Sequence, residues 1–390
     1  MGEQRLVDQD LWGGDPHAFF TRMRAEEPVY RDGDGIWGLM LHGDVCAAER
    51  QPTMFSSSRG SRPNTEPQPS MIDSDDPWHA AQRRLVAQGF TRRQMAAYES
   101  HVVAVARELV DAVVTRGTCD IVADIAKPLP MTLIGEMLGA ERSDHDRLQH
   151  WSDLLVSGAD GAQHRTAQTM AAAFEYYEYI TRVLEERRAE PGDDLVSTLI
   201  HSEVDGESLD DAQIIGNALL LLVGGNETTR NVIAGGLHAL ITNPEQLAIA
   251  RASADDLTDV VEEALRWVTP INNMNRHTTA DVEMRGVTIP AGSQVLMVYS
   301  SANRDETVFA DPFQFDVTRH PNPHIAFGFG PHLCLGAALA RLELNVIFRE
   351  VLTRLDDLRL ADPEFVPTYG HSSFVRGMPA LPVRFATGSR

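Results

Sequence analysis

Cys334 stands in the run Phe327-Gly328-Phe329-Gly330-Pro331-His332-Leu333-Cys334-Leu335-Gly336, and a helical apolar pattern follows from Ala337 to Ile347. Backbone N–H groups at a helix start stabilise an anion, so a thiolate here is expected to have a lowered pKa. Gly328, Gly330 and Gly336 let the backbone approach a flat, bulky group and adopt positive φ where needed. A single thiolate in such a loop suits axial ligation of a haem iron, where it pushes electron density toward O–O cleavage. The other fate of a single cysteine is a small buried side chain in a tight turn.

A second constellation is Gly224-Gly225-Asn226-Glu227-Thr228-Thr229. It interrupts a stretch from Ser208 to Thr242 that reads as one helix, opened by a capping-box pattern at Ser208–Asp211 and stopped by Asn243-Pro244. Leu219 to Val223 are apolar on every face, so the middle is expected to be buried. Two interior glycines cost roughly 1 kcal/mol each relative to alanine. Glu227 in a buried stretch needs a partner. Local rules that fail together mark a functional site. The glycines make room for a small ligand, and Glu227 and Thr228 offer a proton carrier beside a hydroxyl. Close helix packing at small residues is the alternative.

Further side chains have suggestive spacing. Glu263 and Arg266 lie three apart on one helix face, and His79 and Arg83 lie one turn apart. Cationic partners are what a carboxylate-bearing cofactor requires. His320 and His324 are separated by prolines, cannot share a helix face, and are read as loop residues.

Together these segments resemble the cytochrome P-450 family of haem-thiolate monooxygenases. The family patterns Phe-x-x-Gly-x-His/Arg-x-Cys-x-Gly, Ala/Gly-Gly-x-Asp/Glu-Thr-Thr/Ser, Glu-x-x-Arg and His-x-x-x-Arg are all met, and the likeness runs from about Phe19 to Phe385. The resemblance implies a mainly α fold with small peripheral β-sheets, and haem b held between the long helix and the cysteine loop. Cys334 would be the iron ligand, flanked by Phe327, Gly328 and Gly336. His79, Arg83, Arg276 and His332 would hold the propionates. Thr228 would steady the activated oxygen and Glu227 would relay protons. Glu263, Arg266 and Arg319 would form a bracing network. By family position, Met71, Ile72, Leu220, Val223, Gly224, Ile271, Met274, Phe374 and Val375 would line the substrate pocket. The implied reaction inserts one atom of O2 into a C–H bond of a lipophilic substrate. Electrons would come from a separate ferredoxin and ferredoxin reductase. Met71–Pro77, Gly225–Asn231 and Ser373–Gly377 look most like actinobacterial enzymes that oxidise the cholesterol side chain. Natural-product tailoring of terpenes, macrolides or peptides is the alternative, and a haem sensor without oxygenase activity is a further one.

The elements that must position these residues are mostly helical. Periodicity predicts helices near 16–26, 43–51, 78–88, 92–116, 144–157, 165–189, 193–202, 209–241, 244–251, 256–268 and 337–355. Strands are expected at 29–31 and 36–39 around the turn Asp32-Gly33-Asp34-Gly35, and near 282–284, 287–289, 294–298 and 382–385. The turn lacks the remaining ligands of a calcium loop. The irregular stretch Ser56–Ser70 and the loop Gly158–His164 are expected to flank the pocket mouth. No linker divides residues 1–390, so one domain is expected.

A charge of −22 argues against nucleic acid or anionic membranes as partners. No run is long and apolar enough to cross a bilayer, and Met1–Asp10 has no signal-peptide core, so the cytoplasm is the expected location. Three cysteines without CxxC spacing exclude a disulfide framework or zinc module, leaving Cys46 and Cys119 inert. Between Pro77 and Tyr98 lie Arg83, Arg84, Arg92 and Arg93 and no acid, a basic run that suits an acidic electron donor.

Overall fold

The computed structural model describes residues 4–90, 92–158, 164–203 and 206–387, with the side chains of 92, 93, 96 and 97 outside the description. The chain opens with α1 (Gln9–Gly13), α2 (His17–Glu26), β1 (Val29–Arg31), β2 (Trp37–Leu39), α3 (His42–Glu49) and β3 (Phe55–Ser56). The hairpin turn between β1 and β2 rests on Asp32. Its carboxylate accepts the N–H groups of Leu6, Asp34 and Ile36, each at 2.9 Å, which commits it to structure rather than to a cation.

The helical body follows as α4 (Trp78–Val86), α5 (Arg92–Val114), β4 (Thr118–Asp120), α6 (Pro128–Met137), α7 (His145–Ser157), α8 (Ala167–Ala189), α9 (Leu195–His201) and α10 (Asp211–Thr242). α6 and the π-turn Val122–Ala126 before it escaped the periodicity. Pro128 and Pro130 read as breakers, yet both sit in the first turn of α6, where a missing N–H costs nothing. α10 spans 32 residues and starts at Asp211, not Ser208. Asp210 is its N-cap and forms a reciprocal capping box with Gln213.

Next come α11 (Pro244–Ala252), α12 (Thr258–Val268), β5 (Met274–Thr278), β6 (Val282–Met284), β7 (Val287–Ile289), β8 (Gln294–Met297), α13 (Tyr299–Ala302), α14 (Ala337–Arg354), β9 (Arg359–Leu360) and β10 (Pro382–Arg384). Among the described residues the strands form sheets ordered β1-β2-β8-β5-β3, β4-β10-β9 and β6-β7. β2 and β8 run parallel, and the other pairs are antiparallel. β5 was not expected because its middle reads Asn275-Arg276-His277, yet all three are buried. The architecture is mainly α with small sheets.

α10 runs through the centre and packs on α6, α7, α12 and α14. Its residues contribute to both large apolar clusters, one shared with α5, α12 and α14 and the other with α7, α8 and α9. α12 shows why the packing holds. Val260, Val261, Ala264 and Leu265 are all within 3 % of full burial, and burying each larger side chain is worth about 1.5–3 kcal/mol. Cys46 and Cys119 are also buried, which pushes their thiols up to about 11 and about 12 and leaves them unreactive.

The same helix turns two charges inward. Arg266 donates to Glu263 through Nε and NH2, each at 2.7 Å, and neither side chain has exposed surface. Arg319 Nε reaches Glu263 at 3.2 Å, and Asp316 N–H and Asn322 fill its remaining acceptor sites. Structure thus brings Glu263, Arg266 and Arg319 into one network. His320 and His324 instead face Asp259 and Glu262 of α12, at 3.3 and 3.0 Å.

Glu343 of α14 is 4 % exposed with one carboxylate oxygen lacking a partner. Burial pushes its pKa up to about 8. The folded chain therefore keeps a proton that the unfolded chain loses near pH ~4.3. Its contribution to stability is full below that pH and is lost as pH rises through about 8. Glu343→Gln should remove this loss, on the order of a few kcal/mol. The difference in Tm between variant and wild type, followed from pH 5 to 9 in matched buffers, should grow with pH; a constant difference refutes the assignment.

Candidate active site

A cavity of ≈ 570 Å³ opens between α10 and the cysteine loop. Gly224, Gly225 and Thr228 face it from α10, and Phe327, Gly328, Cys334, Leu335 and Gly336 face it from the loop. Cys334 is anchored by its own N–H, which donates to Phe327 O at 2.9 Å. Its thiol is open to the cavity and enclosed by protein on its other sides. Burial pushes the thiol pKa up, against the Gly336 N–H, Arg83 and Arg341, which favour the thiolate. This reverses the lowered pKa expected from the helix start. One amide and two distant guanidiniums do not outweigh desolvation; a bound metal cation deprotonates a ligating thiol outright.

One wall of the cavity is cationic. His79 and His332 lie ring to ring with centroids 4.0 Å apart. His79 Nδ1 meets Asp76 at 3.3 Å, while its buried Nε2 has no partner. His332 Nε2 meets Ser57 at 3.2 Å. Burial lowers both imidazole pKa values, that of His332 to about 2 with help from Arg276, His79 and Arg83. Arg83 donates to Leu333 O at 2.6 Å. Arg276 donates to Asn275 O at 2.9 Å and to Glu49 at 3.2 Å, so part of its charge is already matched.

These residues fit haem. Cys334 would hold the iron, and His79, Arg83, Arg276 and His332 would hold the two carboxylates; the buried His79 Nε2, which has no partner in the protein, fits that role. When bound, haem supplies O2 binding and redox chemistry.

On α10, Thr228 donates its hydroxyl to Gly224 O at 2.6 Å, the carbonyl one turn back. A Cβ on Gly224 would meet nothing within 4 Å, so this glycine opens onto the cavity. Gly225 differs: a Cβ there would stand 3.2 Å from Ile134, so part of its reason is close packing of α6. Glu227 points away from the cavity. It accepts from Ser152 at 3.3 Å and Asn226 at 3.2 Å, and it pairs with Arg230. Arg230 and Lys127 also hold Asp153, at 2.7 and 3.1 Å. Burial raises the Glu227 pKa, Arg230 opposes this, and Asp153 adds to the rise. The structure does not bring the Glu227 carboxylate to the Thr228 hydroxyl.

Met71, Ile72, Leu220, Val223, Gly224, Ile271, Met274 and Phe374 all line the cavity. Val375 does not. It bridges to Ile271 through the backbone and is buried behind Val156 and Phe374, which do line the cavity. Sequence reasoning missed Val156 and Met170, contributed by α7 and α8. It also missed Arg62, whose guanidinium sits 3.1 Å over the Phe374 ring and donates to Met274 Sδ at 2.8 Å. An arginine in an irregular stretch that also holds Arg59 carries no signal of such a place. Ser61, Arg62, Thr65 and Gln68 put the Ser56–Ser70 stretch at the cavity rim; of the other expected flanking loop, 159–163 lie outside the described residues.

A thiol aimed into an apolar chamber with cations along one wall defines a haem-thiolate protein. Comparison with known proteins is specific: the chain belongs to the cytochrome P450 family, whose model matches residues 51–255 and 250–367. A steroid C26-monooxygenase of Mycobacterium tuberculosis is 43% identical over 383 residues, 97% of this chain and 96% of that protein. The crystal structure of CYP109E1 from Bacillus megaterium in complex with testosterone superposes with a TM-score of 0.89 at 32% identity, over 96% of this chain and 99% of that one. A post-tailoring hydroxylase of himastatin biosynthesis, HmtN, matches with a TM-score of 0.85 at 33% identity, over 97% of this chain and all 100% of that one. The protein is a monooxygenase, and its cofactor is haem. Among the described residues no helix is long and apolar enough to cross a membrane.

Cys334→His should abolish the strongly red-shifted Soret band of the ferrous CO complex and nearly all turnover. A variant that keeps the band would remove Cys334 from the ligand position.

Proposed function

We propose that this monooxygenase oxidises a steroid side chain, such as that of cholesterol or cholestenone, at a C–H bond. One atom of O2 enters the substrate and the other leaves as water, with two electrons and two protons supplied. The observation that carries the reading is the mainly apolar part of the lining, where Met71, Leu220, Val223, Ile271, Met274 and Phe374 suit a long lipophile, with Arg62 the charge set against it. Likeness to a steroid C26-monooxygenase and to a testosterone complex supports it. Likeness to a post-tailoring hydroxylase keeps natural-product oxidation as the second reading.

Electrons come from a ferredoxin and its reductase, docking near the cysteine loop. Exposed Leu333 and Trp78 offer an apolar centre there, and Arg84 a charged rim. The side chains of Arg92 and Arg93, the rest of the expected basic run, lie outside the described residues. The cytoplasm is the compartment we propose.

In the reconstituted system a cholestenone-type steroid should shift the iron spin state at low micromolar levels, on the order of −8 kcal/mol of binding. It should then be hydroxylated with ferredoxin as donor. Silence toward every sterol, beside a clear response to a macrolide or terpene, transfers the protein to the second reading. Turnover with flavodoxin and none with any ferredoxin overturns the partner.

Within the site, Thr228 holds a hydroxyl at the cavity wall and Glu227 brings protons from the α7 side, where Asp153 is partly exposed. For that role the Glu227 side chain would have to leave Arg230 and turn toward the cavity. Thr228→Ala should keep its haem spectrum and still consume reduced nicotinamide, while product per electron pair falls and hydrogen peroxide rises. Glu227→Gln should instead slow the whole cycle by roughly 10²-fold, a typical loss for a proton carrier. Full coupling in Thr228→Ala contradicts the role given to the pair.

A further inference from the structure

Glu49 belongs to none of the recognised motifs, yet its carboxylate ties four parts of the fold together. It ends α3, and its side chain is 1% exposed. Oε1 accepts from the Tyr299 hydroxyl at 2.5 Å and from Arg276 at 3.2 Å. Burial raises the Glu49 pKa, and Arg276, the Tyr299 hydroxyl and the Phe329 N–H of the cysteine loop oppose that rise in favour of the carboxylate. Oε2 is buried without a partner and lies on the Gly328 side of the group. The loop closes directly on this corner. Gly330 has φ +70°, and a Cβ there would overlap the Glu49 carbonyl. Beside it, Arg50 stacks 4.5 Å over the Phe329 ring.

Two of these partners, Arg276 and Tyr299, face the cavity. Arg276 is 4 % exposed, and an isolated cation at that depth would be costly. Glu49 supplies the counter-charge that lets Arg276 stand ready in the empty chain as well as the loaded one. A fixed anion at this depth, where water screens little, also opposes the addition of an electron to a neighbouring redox centre.

We propose that Glu49 is a positioning residue for the haem, holding Arg276 and Tyr299 as a preformed wall for the cofactor's carboxylates and biasing the iron toward the ferric state by its negative charge. The assignment does not depend on the substrate.

Glu49→Gln keeps the shape and the acceptor for Tyr299 and removes the charge. In the haem-loaded protein it should shift the ferric–ferrous equilibrium about tenfold toward ferrous, about 59 mV in a spectroelectrochemical titration. Haem transfer to apomyoglobin should accelerate several-fold, because Arg276 is no longer held. The ferrous CO spectrum should be unchanged, since Cys334 is untouched. Glu49→Asp should keep most of the wild-type potential. A haem-loaded Glu49→Gln with unchanged potential overturns the proposal, as does a Glu49→Asp that behaves like Gln. Should Glu49→Gln fail to take up haem, Tyr299→Phe decides: it keeps the charge and removes one donor. Its potential should stay at or below that of wild type while haem leaves faster; a raised potential or unaltered release rejects the idea.

Discussion

The buried ion pair between Glu263 and Arg266 is the constraint on which the cysteine loop depends. Arg266 has no exposed surface, and it spends its donors on Glu263 and on the carbonyls of Asn303, Pro312 and Gln314. Asn303 in turn accepts the Ile325 N–H at 2.8 Å, and Ile325 O accepts the Gly328 N–H at 3.0 Å. The path from a charge on α12 to the loop that carries the thiol is therefore continuous. Removing one member of such a pair leaves an uncompensated buried charge and costs about 3–5 kcal/mol. A hydrophobic substitute would pack as well but would offer nothing to the irregular chain between residues 303 and 322, whose carbonyls need donors.

The chamber itself is divided by polarity. His79, Arg83, Arg276 and His332 occupy one wall, where a cofactor's carboxylates would be held, and mainly apolar side chains, with Arg62 among them, occupy the rest. α10 belongs to both. Its Gly224 face is open, its Gly225 face is pressed on α6, and its acidic residue is turned outward to Arg230. The local conflict between two glycines, a carboxylate and a helical core is thus resolved in three directions at once.

Much of this was legible in the sequence because the chemistry imposes rare residue types at fixed spacing. The cysteine loop and the glycine break with Thr228 could each be read from a handful of positions, whereas Glu263 and Arg266 showed only a three-residue spacing and gained their bracing role from the family resemblance. Periodicity found most helices because their apolar stripes face one core. It failed at α6, where prolines sit in the tolerated first turn, and at β5, where a strand buries Asn275, Arg276 and His277 in place of apolar residues. Contacts made across the chain left no local trace. Glu49 beside Arg276, Arg62 over Phe374 and the outward turn of Glu227 follow from how distant elements meet, and spacing carries no record of that.

The close approach of Gly225 to Ile134 has a mechanical consequence. The backbone of α10 at Gly225 is pressed directly on the Ile134 side chain of α6, and α12 and α14 close the other side with fully buried residues. The floor of the chamber is stiff. The roof is drawn from α7, α8 and the stretch around Arg62; α7 and α8 are tied to α6 and α10 through one buried apolar cluster, whereas residues 56–70 are irregular and lie outside it. A guest of unusual length or width meets its most yielding wall at that irregular stretch, so compliance and chemistry reside in different parts of the chamber. Change in the roof can alter which molecules fit while the stiff floor keeps the reacting groups in register.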